Sequence, residues 1–593
     1  MKLSLVGSLF LGMVVMAQEP RKESVVVTGT YDPLPLSEAD RSLKVVDVGA
    51  LSLLSNTPFD LLRLDSSLDL RERAGNGVQS DLSIRGGSFG QTLVTLNGIR
   101  LNDPQSGHHN MDVPVPPEAV ERIEVLHGAG STFYGSDAVG GVVNFIAAKP
   151  EVSEFRLRTA VGNWGVNQQR GSISGVRGNW TEQLTFSRDF STGFQPDRDY
   201  RNLSLGSISH FKSKLGFTDL ILAYSDRPFG ADQFYGNYNS WERTKSWFAS
   251  VRQELGSKTE VAFAYRRHTD LFVLYRDRPE VFTNRHLAES WDGAVRRRES
   301  LGQNVKLHYG AEVYADSIVS TNLGQHDRIR EAGYVSLDVR ALRRFSFSVG
   351  AREEIFRNFQ RQLSPSAHGG LWVSQRLRLR GGASRAFRLP SFTDLYYHDP
   401  ANLGSPNLKP EKAWNYEGGL DWNAGGRVKG DVTVFQRRER DGIDYVRYTP
   451  TDVWRATNFQ RLTFSGVEAS VVTTVARKQR VEVQYTGLRG GQEARGAVFS
   501  KYAFNYPEHT GIVSWQGELP GGLVARTRVG ATKRYARGVY GVWDVYLAYG
   551  RGRVHPYAQF TNLTDTRYQE VLGVGMPGRG VVVGIDILAW RGH

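Results

Sequence analysis

The chain has 593 residues, of which 40% are hydrophobic and 23% are charged, so it is not intrinsically disordered. Its mean hydropathy is -0.39, and beyond residue 17 no apolar run approaches the roughly 18 residues of a spanning helix, which excludes a helical membrane protein. The absence of cysteine excludes a disulfide scaffold and a thiolate metal site. The net charge of +13 fits an anionic ligand or an anionic membrane surface, and no nucleic-acid-binding motif accompanies it.

The first 17 residues are typical of a secretory signal peptide. Lys2 supplies a positive charge, Leu3–Val15 is apolar, and a weak small-residue cleavage site ends at Ala17. An uncleaved anchor helix is the alternative, but the apolar run is too short to span a membrane. We therefore expect an exported protein.

Residues 18–41 form a polar segment that contains the β-branched strip Ser24–Thr28. Residues 42–150 then mix short strands with helical stretches and predict a compact α/β domain. Thr57 followed by Pro58 predicts the capped start of a short helix. Val120–Leu126 predicts a strand.

From residue 151 to the end, apolar and polar residues alternate, as in Asp431–Gln436 and Val524–Val529. The polar set is rich in arginine, glutamate and glutamine, which a soluble core could not bury but a wet lumen accepts. Residues 151–593 leave about 20 residues for each strand of a 22-stranded barrel. The 64 glycines suit the many turns of such a fold. A β-propeller or β-helix is the runner-up, disfavoured because no fixed repeat is present.

Five stretches carry a resemblance to a known family. They are Ser24–Gly29, Leu82–Ile99, Ile123–Ile146, Ala386–Tyr396 with Pro406–Glu411, and Asn562–Tyr568. In this order and spacing they resemble the TonB-dependent outer-membrane receptors, and the likeness covers nearly the whole mature chain. The compact length and the Val-Val-Thr strip are most similar to the vitamin B12 receptor branch.

The resemblance implies an all-β barrel of 22 antiparallel strands (residues 151–593) in the bacterial outer membrane, with an α/β plug domain (residues 42–150) in the lumen. It also implies active import of a scarce chelate, cobalamin or a ferric siderophore, by a monomer without a cofactor or enzymatic activity. The expected partners are the inner-membrane TonB complex, outer-membrane lipid and lipopolysaccharide, and a small-molecule ligand, with no nucleic acid.

Two sets of residues follow from the family's motifs. The strip that TonB would grip by strand pairing, the TonB box, corresponds to Ser24, Val25, Val26, Val27 and Thr28. The lock between plug and barrel corresponds to Arg85, His127, Glu417 and Glu468. His127 stands where the family has a second arginine, so only its protonated form would keep that ion pair.

Two plug loops are candidates for ligand contact. Their residues are Ser88, Phe89 and Gln91, and His108, His109 and Asn110. Phe89 offers a stacking face, and the amides offer hydrogen bonds. The adjacent histidines suggest a metal or haem ligand pair, but neighbours in an extended chain point in opposite directions. Solvent-facing or plug–barrel roles are the alternative, and we predict no metal site.

Segment Asp226–Trp241 is rich in glycine and aromatic residues and is interpreted as an extracellular loop over the ligand, with an aromatic girdle as the alternative. The pattern Gly573–Gly578 matches a dinucleotide-binding motif, but a β-branched run follows it instead of a helix.

Other functions remain open at this point. They are a haem or other metal-complex receptor of the same fold, and a passive porin or surface binding protein. A porin would not need the mixed domain before the barrel. A signalling receptor would carry a further domain before residue 24, and only about six residues separate Ala17 from Ser24.

Overall fold

The computed structural model describes residues 24–29, 33–342, 344–492 and 499–592. The predicted signal peptide, residues 1–17, lies outside the described residues. Within them, no helix is long and apolar enough to cross a membrane.

The N-terminal part is built on a five-stranded mixed sheet. Its strands and helices, with a preceding hairpin, are β1 (Val25–Val26), β2 (Leu34–Pro35), β3 (Leu43–Asp47), α1 (Pro58–Leu62), β4 (Leu68–Glu72), β5 (Ser80–Ile84), β6 (Thr92–Leu96), β7 (Ile99–Arg100), β8 (Val120–His127), α2 (Ser131–Tyr134) and β9 (Gly141–Ala147). The sheet order is β3-β8-β9-β6-β7, with β6 and β9 parallel, and β4 pairs separately with β5. We call this domain the plug.

Two local predictions are confirmed in the plug. Helix α1 begins at Pro58, and the Thr57 hydroxyl accepts a hydrogen bond from the Asp60 amide while the Asp60 carboxylate accepts from the Thr57 amide. The strand predicted from Val120 is β8. The plug interior is apolar, since Ile84, Val94 and Val125 are completely buried.

The rest of the chain closes into one barrel, in which β10 pairs with β33. Its 22 long strands are all antiparallel to their neighbours, as predicted. The strands are β10 (Glu154–Gly162), β11 (Asn167–Arg177), β12 (Trp180–Ser191), β13 (Tyr200–Lys212), β14 (Phe217–Asp232), β15 (Asn239–Leu255), β16 (Thr259–Val273), β17 (Thr283–Ser300), β18 (Val305–Ser320), β19 (Gly324–Leu342), β20 (Phe345–Phe356), β21 (Gln362–Ser374), β22 (Leu377–Arg388), β24 (Glu411–Ala424), β25 (Val428–Arg447), β26 (Trp454–Ala476), β27 (Gln479–Gln492), β29 (Pro507–Glu518), β30 (Leu523–Arg534), β31 (Val539–Tyr549), β32 (Val554–Thr561) and β33 (Gly580–Arg591).

Three short elements lie in the connections between these strands: α3 (Phe392–Tyr396), β23 (Asn402–Leu403) and β28 (Phe499–Ser500).

The barrel wall has the inside-out polarity that the alternation predicted. Outward side chains such as Leu157 and Val434 are exposed, whereas inward arginines such as Arg170 and Arg437 are buried against the plug or the opposite charges of the lumen. This arrangement leaves a charged surface for the plug to pack against.

The two rims of the barrel differ. At one rim the connections have two to four residues, and the chain before the plug lies there, because the Glu38 carbonyl accepts hydrogen bonds from Arg340 and Arg378. The other rim carries the longer connections, including 389–410 and 562–579.

Segment 226–241 is mostly not a loop. Asp226–Asp232 belongs to β14 and pairs with β15, so the connection is limited to residues 233–238. The ladder with β15 continues without a break up to Asp232, which pairs with Asn239. Phe234 and Tyr235 in the connection fold inward over the plug, and the Gln79 amide donates to the Tyr235 hydroxyl.

Candidate ligand-binding and gating site

An aromatic surface lies on the plug beneath the long connections. The Phe89 and His108 rings stack with centroids 4.2 Å apart and an interplanar angle of 24°. Tyr502, from the connection between β27 and β29, meets both rings in a T-shaped arrangement, with ring centroids 5.2 Å from Phe89 and 6.0 Å from His108. We call Phe89, His108 and Tyr502 the aromatic surface. It joins plug to barrel and offers a ligand a partly exposed π-face.

The His108 ring is held in place by a buried ion pair. Its Nδ1 lies 2.7 Å from the Asp81 carboxylate, and Arg73 lies 3.0 Å from the other oxygen. Burial alone would raise the pKa of Asp81, but Arg73 and His108 hold it well below its ordinary value. Burial lowers the pKa of His108 even though Asp81 opposes that shift.

The two histidines do not lie in an extended segment, as the sequence argument assumed. Gly107–His109 is a turn of 3-10 helix that begins at Ser106, whose hydroxyl accepts from the His108 amide. The rings still diverge: His108 faces the aromatic surface, whereas His109 is buried toward the barrel wall. Divergence along a helical turn arises from the roughly 100–120° between successive side chains.

The predicted amide residues support the aromatic surface from below. The buried Gln91 donates its Nε2 hydrogens to Glu411 (2.9 Å) and Glu439 (2.6 Å), and its Oε1 accepts from the Ser88 amide (3.1 Å). The Asn110 side chain donates to the Phe89 carbonyl at 3.2 Å. Ser88 and Gln91 thus form a capping box around the turn that carries Phe89.

A cation borders the aromatic surface. The Nζ of the exposed Lys501 lies 5.6 Å from the ring centroids of Tyr445 and Tyr502 and donates a hydrogen bond to Asn402. Neither Tyr502 nor Lys501 was predicted, because they lie more than 390 residues beyond His108 and no local pattern connects them.

The lock residues predicted from the sequence come together. Arg85 donates from Nε and Nη2 to both oxygens of Glu468, at 2.8 and 2.7 Å, and from Nη1 to Glu417 at 2.8 Å. Its guanidinium lies 4.4 Å above the Phe435 ring. All three charges are buried, so each depends on the others for stabilisation.

His127 occupies the same cluster but turns mainly to a plug carboxylate. Its Nε2 lies 2.9 Å from Asp65 and its Nδ1 3.9 Å from Glu468. Burial alone would lower its pKa, but Asp65 and Glu468 outweigh that effect and raise it.

A second plug arginine, Arg41, lies beside the lock and was missed from the sequence. It donates to the Ala129 carbonyl and senses the Glu417 charge, although burial lowers its pKa to about 10. It precedes the predicted plug boundary, so no plug motif marks it. His127 and Arg41 together contribute the positive charge next to Arg85 and its carboxylates.

The strip Ser24–Thr28 is docked against the plug sheet. The Glu124 carboxylate accepts from the Val27 amide (2.9 Å), the Thr28 amide (2.8 Å) and the Thr28 hydroxyl (2.6 Å). Asn144 on β9 donates to the Thr28 hydroxyl at 2.9 Å. Val26 and Glu124 are 0% exposed. Val26–Thr28, the second part of the strip, is therefore sequestered, whereas Ser24 and Val25 are exposed. Glu124, to which the sequence assigned no role, is the main anchor.

A large concavity of about 780 Å³ lies away from these residues. It is lined by outward side chains of β10–β16, among them Leu184, Leu205 and Trp247. Because these side chains are apolar and point away from the lumen, the concavity faces lipid and is not the ligand site.

Comparison with known families identifies the whole architecture. Residues 155–569 match the family model for the TonB-dependent receptor-like β-barrel, and residues 35–142 match the TonB-dependent receptor plug domain. The chain belongs to the TonB-dependent receptor family. Since this family resides in the outer membrane, so does this receptor, and its family is one of receptors and transporters rather than enzymes.

Curated relatives share about a quarter of their residues with this TonB-dependent receptor. The vitamin B12 transporter BtuB of Photobacterium profundum is 23% identical over 500 residues, covering 77% of each chain. The iron-regulated outer membrane virulence protein of Vibrio cholerae is 24% identical over 578 residues, covering 87% of this chain and 85% of its own.

Solved structures confirm the fold of the receptor. The siderophore receptor PirA from Acinetobacter baumannii superposes with a TM-score of 0.76 at 15% identity, covering 92% of this chain and 98% of its own. A mutant of the ferric enterobactin receptor PfeA from Pseudomonas aeruginosa gives 0.76 at 14% identity, covering 95% and 100%.

Proposed function

We propose that this receptor imports a scarce metal chelate across the outer membrane by TonB-coupled rearrangement of the plug. The observation that carries the proposal is that Glu124 holds Val27 and Thr28 of the strip Ser24–Thr28, next to the buried Val26, under a plug that fills a closed barrel. A plugged barrel needs an energy source to open, and a strip that can be released offers a partner an edge for strand pairing. Released Ser24, Val25, Val26, Val27 and Thr28 form the proposed TonB-binding site.

A short route connects the aromatic surface to the strip. The Gln91 carbonyl, at the end of the Phe89 turn, accepts hydrogen bonds from the amides of Val139 and Gly140. The next residue begins β9, which carries Asn144, the donor to Thr28. We infer that ligand pressure on Phe89 shifts β9 and weakens the hold on Thr28. Population of the released state would then depend on differential ligand affinity for the two plug arrangements.

The proposed substrate is a ferric siderophore with aromatic, anionic iron ligands. The aromatic surface and the bordering Lys501 support this class, because stacking and a cation both favour a catecholate. Relatives described as iron-regulated and as siderophore receptors agree with it. Phe89 and His108 would contact the ligand, and Ser88, Gln91, His109 and Asn110 would hold the two loops.

Cobalamin is the second candidate. It is favoured by the match to a vitamin B12 transporter and by the compact connections. A corrin would stack on the same rings without needing Lys501.

Ligand titration separates the two substrates. Trp164, Trp241 and Trp454 lie in or beside connections at the rim that carries the longer connections, so quenching of tryptophan fluorescence reports ligand at the barrel mouth. We expect saturable quenching by a ferric catecholate that weakens in Phe89→Ala and Lys501→Gln. Saturation by cyanocobalamin alone would support the second candidate, and haem alone would make the chain a haem receptor.

A matched pair of variants tests energy coupling. Val25→Pro removes a main-chain donor and disfavours strand pairing, whereas Val25→Ala leaves the backbone able to pair. We expect Val25→Pro, and deletion of residues 24–29, to abolish uptake while ligand binding stays normal, and Val25→Ala to take up ligand. Normal uptake by the deletion would contradict the proposal and favour a passive porin or surface binding protein.

The lipid partner is proposed from the outer surface of the barrel. Arg201 and Arg267 are 49% and 45% exposed and lie near the long-connection ends of their strands. Cations at that height suit the phosphates of lipopolysaccharide. We propose that the receptor acts as a monomer among such lipids.

A further inference from the structure

A group of buried polar side chains lies where plug segment 103–112 meets β15 and β16. The Nε2 of His109 is 3.5 Å from Asp270 and 4.0 Å from Glu242. One ligand atom from each of these three residues lies within 4.8 Å of the other two, and all three residues are buried. The plug thus contributes an imidazole, and the barrel wall contributes two carboxylates.

Arginine side chains pair with only two of the carboxylates in this group, as far as the described ranges show. Four buried carboxylates surround His109: Asp103, Asp112, Glu242 and Asp270. Arg266 donates to Asp103 at 2.8 Å, and Arg227 donates to Asp112 at 2.6 Å.

Glu242 and Asp270 have no such cation. Within the described ranges, no lysine or arginine pairs with either of them. In addition, Oδ1 of Asp270 is buried and accepts no hydrogen bond there. Burying two carboxylates around one imidazole is costly without a further cation, and an unsatisfied carboxylate oxygen adds to that cost.

We propose that His109, Glu242 and Asp270 bind one divalent first-row transition-metal ion that bridges the plug and the barrel. Two ligands bound at about 2.0–2.1 Å in tetrahedral geometry lie about 3.4 Å apart. The His109–Asp270 spacing of 3.5 Å is close to that value, and the 4.0 Å to Glu242 requires a small inward shift of that carboxylate. One imidazole and two carboxylates form a mixed set that suits zinc and similar ions. The ion supplies the missing positive charge.

Neighbouring side chains orient the three ligands. The Nδ1 of His109 faces Asp112 at 3.7 Å, which leaves the lone pair of Nε2 for the ion. Gln105 donates to Oδ2 of Asp270 at 2.7 Å, and Tyr235 donates to Glu242 at 2.5 Å. Such outer partners are a regular feature of metal sites.

The site differs from the one that the adjacent histidines suggested. His108 faces Asp81 and takes no part, so the argument against two neighbouring histidines does not apply. The expectation of no metal site rested on that pair, whereas the ligands here come from three distant segments. The proposal does not depend on the identity of the imported chelate.

The test is zinc binding by the full-length, detergent-folded chain stripped of metal. We expect one equivalent of Zn²⁺ by competition with a fluorescent chelator, and X-ray absorption showing one nitrogen and at least two oxygens at about 2.0–2.2 Å. No binding at about 100 µM Zn²⁺, a concentration that would saturate a site with a Kd of about 1 µM or below, would overturn the proposal. A nitrogen-free first shell would also overturn it.

Three variants locate the site: His109→Gln, Glu242→Gln and Asp270→Asn. Each variant is expected to weaken zinc binding by more than about 100-fold. About 100-fold is the upper range for removing a residue that only orients a metal ligand. The matched control is His210→Gln, a buried barrel histidine paired with Asp219 at 2.6 Å near the other rim, which should bind zinc normally. Heat-modifiable gel migration checks that each variant is folded. Unchanged zinc affinity in a folded Asp270→Asn chain would exclude this site.

Discussion

The interior of the plug and the interior of the barrel are built from opposite kinds of residue. In the plug, apolar side chains such as Ile84 and Val125 fill the core. In the barrel, the apolar side chains face lipid, and arginines such as Arg352 and Arg378 are buried inward. The two domains therefore meet through many ion pairs and hydrogen bonds, together with apolar contacts where barrel residues such as Ile208, Ile221 and Phe248 join the plug core.

This difference is what the proposed rearrangement needs, because it would let the plug shift without unfolding. An apolar core holds the plug together as a unit, because exposing it costs free energy in proportion to its area. A charged interface can be rehydrated as the plug shifts, since water replaces each lost hydrogen bond. Four changes test this division, in order of expected effect.

Removing the lock arginine should have the largest effect. Arg85→Ala leaves Glu417 and Glu468 buried without their partner and should destabilise the docked plug by about 3–5 kcal/mol. Hydrogen exchange of plug peptides measures the loss. Lys44→Ala is the control, because its partly exposed pair with Glu482 is worth about 0–1 kcal/mol. Equal effects of the two variants would show that the buried lock stabilises the docked plug no more than the partly exposed Lys44–Glu482 pair does.

Reversing the polarity of the barrel wall should destabilise the protein slightly less than removing the lock arginine does. Val434 is 57% exposed and pairs with Gly418, midway between Trp414 and Trp422 on β24. Val434→Arg should lower the free energy of unfolding in vesicles by about 2–4 kcal/mol, measured by tryptophan fluorescence in urea. Val434→Leu should be nearly neutral. If Val434→Arg leaves the free energy of unfolding unchanged, this face of the barrel does not contact lipid.

Weakening the anchor of the strip should increase its exposure. Glu124→Gln removes a charged acceptor worth about 1.5–3 kcal/mol, which corresponds to a roughly 10- to 100-fold rise in the released fraction. Thiol labelling of Val26→Cys measures that fraction, since the chain has no other cysteine. The exposed Glu121, in Glu121→Gln, is the control and should leave the labelling rate unchanged.

The smallest effect is a pH dependence of the lock. Asp65 raises the pKa of His127. The stability that protonated His127 contributes is therefore complete below its ordinary pKa of about 6.5, and it is lost as pH rises through the higher pKa of the folded state. The lowered pKa of Asp65 keeps that carboxylate charged until strongly acidic pH. The protection of plug amides, after correction for the base-catalysed intrinsic exchange rate, should therefore fall in mild alkali. His127→Arg should remove this dependence, and a persisting dependence would assign it elsewhere.

The sequence predicted the architecture well, because the features that determine it are local. Alternation identifies strands, Thr57 and Asp60 cap α1, and the family motifs placed Arg85 opposite Glu417 and Glu468. Arg85 of the lock lies more than 330 positions from Glu417 and Glu468, across the plug–barrel interface. Only the family's motifs allowed the lock to be predicted from the sequence.

The ligand side was harder to predict, for a physical reason. Gln91 was expected to offer hydrogen bonds to a ligand, but its amide is occupied by Glu411 and Glu439, over 300 residues away. His109 likewise meets Glu242 and Asp270 only when the barrel closes. Burial and pairing across a closed barrel are set by strand register around the whole ring, which local patterns do not encode.

The most direct test of gating is the accessibility of Val26→Cys with and without ligand. The ligand is the chelate that saturably quenches tryptophan fluorescence, added in excess to the folded receptor in vesicles. We predict slow labelling without ligand and at least about tenfold faster labelling at saturation, a shift of about 1.4 kcal/mol in the release equilibrium. Equal labelling rates with the ligand fully bound would contradict the account, because binding would then leave the strip as tightly held as before.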